Sequence, residues 1–172
     1  MRPVIGAIAA VLTLCSCSYR IASPPALGEP LAIIIEENKS RLVRSQAPLQ
    51  QEVGRVLHNR LGWDISPLAD ATLSLRIERE EIGIAARATD NSPSRYVYTI
   101  RATAIMYSPS REPATMTRRF SGTGYANGRS DEDLGLQEAA NSMATAIADW
   151  LEHSTDDWPI VELEPLPTPA AE

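Results

Sequence analysis

The chain has 172 residues, a formal charge of −6 and 5% aromatic residues. Six of its acids lie beyond Leu151, where there is no Lys or Arg, so the remainder is electrically balanced. That balance excludes the cationic footprint of a nucleic-acid binder, and no nucleic-acid partner is expected.

The N-terminus reads as an export signal. Arg2 supplies positive charge, and Val4 to Leu14 is apolar apart from Gly6 and Thr13. This run fits the roughly 7–15 residues of a signal-peptide core and falls short of the roughly 18 of a spanning helix. Small residues follow, and Leu14-Cys15-Ser16-Cys17 resembles the lipobox of bacterial lipoproteins. A cut before Cys15 would put Leu14 where a small residue belongs, so cleavage is expected before Cys17, with 1–16 as the signal peptide. Cys15 leaves with it. The mature chain then keeps one cysteine, which precludes an internal disulfide or a Cys-based metal cluster. Acylation of Cys17 makes it a membrane anchor, since two or more acyl chains hold a protein firmly. Ser18 rather than Asp follows, which by the lipoprotein resemblance implies the periplasmic face of the outer membrane.

Residues 17–30 form the lipidated tether, with Pro24, Pro25, Gly28 and Pro30. Leu31 to Glu36 is β-branched and reads as a buried first strand. Pro48 suits the first turn of a helix, with Ser45 to Ala47 as cap positions. Leu49, Val53, Val56, Leu57 and Leu61 share one face of that helix, and Gly62 ends it. Thr72 to Ile77 alternates as a half-buried strand, with Leu73, Leu75 and Ile77 inward. Glu78 to Ser94 is a long charged loop or hairpin extension containing the turn-like Asp90-Asn91-Ser92-Pro93. Arg95 to Tyr107 reads as the longest strand, and Thr115 to Tyr125 as the fourth. Ser130-Asp131-Glu132-Asp133 offers a capping box for a second helix, whose apolar stripe is Leu136, Ala139, Ala140, Met143, Ala144, Ile147, Ala148 and Leu151. The acidic, proline-rich 152–172 reads as a disordered tail. The order β-α-β-β-β-α over 31–151 predicts an α+β fold: a two-layer sandwich with a four-stranded, mostly antiparallel sheet and two helices on one face.

Catalytic chemistry is sparse, and the chain is expected to be a non-enzyme without cofactor. His58 and His153 are the only histidines, and no catalytic or metal-binding residue is assigned. Strand alternation places Glu78 and Glu80 on one face and Glu81 on the other, a solvated edge rather than an acid/base pair. Gly122 to Gly128 lacks the Lys-Ser/Thr of a phosphate loop, and its glycines read as a strand bend. From Arg76 to Arg129 there are nine arginines against five acids. Alternation gathers Arg76, Arg101 and Arg119 with threonines on the face away from the helices. This reads either as a solvated face or as a polar docking face for a wet partner surface or an anionic glycolipid.

These features resemble one known family. Cys17-Ser18-Tyr19-Arg20, the element order, Ser94-Arg95 opening a strand that ends near Met106-Tyr107, and Phe120 to Tyr125 before a Ser-Asp-Glu-Asp helix start are similar to the lipopolysaccharide-assembly lipoprotein LptE family. The resemblance spans about residues 17–151 and leaves the tail unexplained. It implies a non-enzymatic plug and assembly partner of an LptD-like outer-membrane β-barrel in lipopolysaccharide export. It also implies lipopolysaccharide contacts near the second-to-third strand connection, where Arg87 and Arg95 lie. The alternative is an auxiliary periplasmic lipoprotein of another envelope system, such as a lipid-transport ABC system or a cell-wall synthase activator.

Overall fold

A computed structural model of the chain describes residues 30–40 and 44–155. The signal peptide, Cys17, the tether before Pro30 and the chain after Thr155 lie outside the described residues. Four strands and two long helices follow in the expected order: β1 (Leu31–Asn38), α1 (Gln46–Leu61), β2 (Ala71–Arg87), β3 (Pro93–Tyr107), β4 (Thr115–Ala126) and α2 (Glu132–Thr155). The sheet order is β1-β2-β3-β4. β1 pairs parallel to β2, and the other two pairings are antiparallel. Both helices pack on one face, so the fold is the expected α+β sandwich.

Several local expectations need correction. β1 is buried only over Leu31–Ile33, because it is an edge strand with one bare face; Ile34 is 44% exposed there. Its edge is partly closed by Gln50, which donates to the Ile33 carbonyl at 2.8 Å. The longest strand is β2, with 17 residues, rather than β3, with 15. The charged stretch after Ile77 is a hairpin extension, and only 88–92 turn. Asn91 takes φ 66°, Ala88 N donates to Ser92 O at 2.9 Å, and the Asp90 carboxylate accepts from Ser92 N and Oγ. Ser130 makes no capping box. It sits in a 3₁₀ turn (Arg129–Asp131) ahead of α2, its hydroxyl donating to Asp131 at 3.2 Å. The boundary expected at 151/152 falls inside α2, which continues to Thr155 because Glu152 pairs with Arg60 of α1 at 2.6 Å.

Helix α1 starts at Gln46 and ends where Gly62, at φ 69°, donates its N–H to His58 O. Its apolar stripe and that of α2 bury as patterned. The helices run parallel, joined by polar contacts in step. Glu52 takes the Arg55 guanidinium at 2.6 Å and Gln137 at 3.3 Å, Arg55 reaches Asn141 at 2.9 Å, and Arg60 reaches Asp149 at 2.6 Å. The Arg55 hydrogen bond, aided by Gln137, holds the buried Glu52 carboxyl below its ordinary range. This is how a buried acid is tolerated between two apolar stripes.

The tightest packing is between α2 and β4. A Cβ on Gly122 would overlap Ala139 O and lie 2.8 Å from Met143 Cβ. One on Gly124 would overlap Gly135 O and lie 2.5 Å from Ala139 N. Gly135 in turn sits against the Tyr98 ring, which a Cβ there would overlap. The glycines of the would-be phosphate loop thus admit the helix backbone. The Gly122→Ala variant should lose stability by about 1–3 kcal/mol or more, the cost of overpacking a rigid contact. A urea midpoint within error of the parent would show that α2 can lift off without cost.

Candidate functional site

The sheet face opposite the helices is uncovered. Its lateral rows follow from the register. Arg76, Thr103 and Arg119 lie side by side, as do Arg79, Arg101 and Ser121; Glu81, Thr99 and Thr123; and Gly83, Val97 and Tyr125. Arg76, Arg101 and Arg119 therefore meet on one face, as alternation implied.

A β-bulge in β2 changes what accompanies them. The register shifts between Ile77 and Arg79, with Glu78 as the extra residue. Before it, odd residues point to the helices; after it, as far as Ile84, even ones do. Glu80 turns toward the helices and accepts a hydrogen bond from the buried Ser45 hydroxyl. Glu78 and Glu81 stay on the outer face. The expected pairing of Glu78 with Glu80 on one face is thus overturned by a single inserted residue.

The outer face is consequently not a bare cationic patch. Glu36, itself at a register shift in β1, holds the Arg76 fork through two bonds of 2.8 and 3.0 Å. Glu78 accepts from the Thr103 hydroxyl at 2.6 Å and lies 3.6 Å from Arg119. Glu81 sits 2.8 Å from Arg79 and 3.5 Å from Arg101. Arg79 and Arg101 face each other directly, a like-charge pairing that is unfavourable alone; the shared carboxylate offsets it. A shallow concavity of about 440 Å³ lies along this ladder, lined by Glu37, Arg76, Glu78, Thr103 and Arg119.

Arg87 and Arg95 lie at the far end of the hairpin, on strands rather than in a loop. Ala86 pairs with Arg95, and Arg87 with Pro93. The Arg87 guanidinium donates to Asn91 O at 2.9 Å and braces the turn. The Arg95 guanidinium stacks over the Tyr125 ring, 4.5 Å from its centre. On the helix side of the hairpin, Ile82 and Ile84 are 47% and 46% exposed, because β2 outruns the helices. With Pro93, Tyr96 and Arg129 they line a second concavity of about 490 Å³. This amphiphilic end escaped the sequence reading, since alternation without the bulge assigns Ile82 and Ile84 the opposite face. Among the described residues no group of His, Cys, Asp and Glu is placed to hold a metal ion, and no helix is long and apolar enough to cross a membrane.

No known protein family matches the chain, and no curated protein does. Solved structures do. A Xanthomonas campestris protein of the DUF330 family superposes with a TM-score of 0.55 at 12% identity, over 75% of this chain and 87% of its own. Rare lipoprotein B from Shewanella oneidensis gives 0.48 at 11% identity, over 70% and 97%. A minor lipoprotein from Acinetobacter baumannii gives 0.42 at 10% identity, over 78% and 97%. At these identities the likeness is one of fold.

The ladder predicts an acid response. The hydrogen bond from Arg76, reinforced by its charge, lowers the Glu36 pKa from the ordinary 4.5. A carboxyl depressed on folding contributes stability above its unfolded pKa and loses it as pH falls through the folded one. In Arg76→Met, the Glu36 carboxyl should titrate at higher pH than in the parent, back near 4.5. An unchanged NMR titration midpoint would mean that the pair does not hold in solution.

Proposed function

We propose that this chain is a non-enzymatic envelope lipoprotein, anchored through acylated Cys17 at the periplasmic face of the outer membrane. Its uncovered sheet face docks against the polar interior of a β-barrel partner, an LptD-like protein in lipopolysaccharide export. The observation that carries this reading is the one-sidedness of the sheet. Three strands' worth of alternating residues, with threonines, Tyr107, Tyr125 and a charge ladder, are presented on the side that no described helix covers. Such a face is too polar for a dry interface and suits a wet one, where guanidinium and carboxylate groups exchange partners with another polar wall.

The direction of the molecule supports the same reading. Leu31 pairs with Ala71 at the opposite end of β2 from the turn, and Cys17 lies 14 residues upstream of Leu31. Leu31 and the hairpin tip are therefore separated by the length of β2, 17 residues or roughly 55 Å at about 3.3 Å per residue. Arg129 beside the exposed Ile82 and Ile84 on the helix side, with Arg95 on Tyr125 across the sheet, puts cations and apolar surface at one end of the molecule, the chemistry of a phosphorylated acyl lipid.

Three outcomes test the proposal. Cys17→Ala should leave an uncleaved or mislocalised precursor; normal fractionation with an unchanged lipid mass shift would refute the anchor. Arg76→Glu combined with Arg101→Glu should abolish co-purification with a large β-barrel while leaving the fold intact by circular dichroism. Arg87→Asp with Arg95→Asp should weaken lipopolysaccharide binding by more than tenfold, since each lost charge-assisted bond costs on the order of 1.5–3 kcal/mol where water is excluded. Equal affinities in a titration would remove these two residues from lipid contact and leave the docking role standing.

A further inference from the structure

β4 is the second edge of the sheet, and among the described residues no strand pairs along its outer side. Tyr125 N donates to the Glu138 carboxylate at 2.6 Å, which caps the end nearest the hairpin. Tyr125 pairs with Val97, Thr123 with Thr99, Ser121 with Arg101, Arg119 with Thr103 and Thr117 with Ile105. By antiparallel alternation, the backbone groups of Thr117, Arg119, Ser121 and Thr123 then point away from β3, as those of Tyr125 do. Among the described residues no further strand pairs with them. A bare edge of this length is a template for another strand.

Helix α2 runs antiparallel to β4 and delivers the chain to the start of this edge. Gly135 lies beside Gly124, Met143 beside Gly122, and the Trp150 ring 5.5 Å from that of Phe120. Thr155 ends the helix five residues after Trp150, and 17 residues follow. We propose that residues 160–164 (Ile160, Val161, Glu162, Leu163 and Glu164) add to β4 as a fifth, parallel strand and close the edge.

Four observations support that occupant. First, β4 has the direction of β1 and β2, because it is antiparallel to β3, which is antiparallel to β2. The step β4–α2–tail then repeats β1–α1–β2: same strand direction, helix on the same face, movement toward the same side. It takes the same hand, as a parallel crossover requires. Second, the connection is short enough. Four residues lie between Thr155 and Ile160, within the usual few residues of a helix-to-strand loop. Third, the tail alternates. Val161 and Leu163 can lie on the helix side, where Phe120 and Met116 are only partly buried. Glu162 and Glu164 then lie on the outer side beside Arg119, whose side chain is 83% exposed. Fourth, the charges are complementary. The 17 residues carry five acids and no Lys or Arg, while β4 carries Arg118 and Arg119. Pro159 and Pro165 bracket the segment and suit an edge strand, where one side of the backbone stays unpaired.

The proposal is independent of lipid anchoring and of any partner. It is tested by hydrogen exchange on the full-length protein in detergent, beside a V161D/L163D variant and a chain ending at Thr155. Amides of Thr117, Arg119 and Ser121 should exchange at least tenfold more slowly in the parent than in either variant, at all protein concentrations. Leu75 and Ala104, deep in the β2–β3 pair, report the fold in the same spectra and should not change. E162R/E164R, which keeps the apolar positions, should lose part of the protection, by about threefold. Equal rates in parent and variants would overturn the proposal. So would protection that rises with protein concentration, which would assign the edge to a second copy.

Discussion

The close approach of α2 to β4 is the constraint on which the rest of this structure depends. Gly122, Gly124 and Gly135 let a helix backbone lie directly on a strand, with Ala139, Ala140, Ala144 and Ala148 filling the narrow space between. Only a helix seated this low buries Met143, Ile147 and Leu151 completely. Its depth also sets the position of α1, since the Arg55–Asn141, Gln137–Glu52 and Arg60–Asp149 contacts require both helices at one height. With both helices committed to one side, none of the described elements covers the other.

The bare face is shaped by a second local device, the bulge at Glu78. One extra residue reverses the facing of β2 from Arg79 to Ile84, where the next register shift lies. That reversal carries Glu80 under the helices to Ser45 and leaves Glu78 and Glu81 among the arginines. It also puts Ile82 and Ile84 on the helix side at a point where the helices have ended. A single irregularity thus sets the charge balance of one face and the apolar tip of the other.

The ladder alters the chemistry that an arginine-rich face suggests. Each of Arg76, Arg79, Arg101 and Arg119 has a carboxylate within 4 Å, so the face has little net field to steer an anion from a distance. These exposed pairs add little to stability. Their value is in recognition: fixed donors and acceptors at strand spacing match another polar, pleated wall better than they match a diffuse charge. At the hairpin end, where Arg87 braces the turn and Arg95 stacks on Tyr125, the guanidinium groups are held by neutral partners among the described residues.

Element types and order, both helical stripes and the inward set of β3 were legible in the sequence, because each rests on a period of two or 3.6 that burial on one side imposes. Register shifts were not. A bulge leaves no mark in composition, so plain alternation puts Glu80 with Glu78 rather than with the helix side. The capping box at Ser130 had the right letters, yet the 3₁₀ turn before α2 takes that stretch instead. The acids that answer the arginines come from β1, from the bulge itself and from beyond it, up to 41 positions away, as Glu78 is from Arg119. Local pattern determined which residues face a core; only the tertiary structure decided which charges face each other, because that depends on strand register, and register is a property of pairs of strands rather than of any one of them.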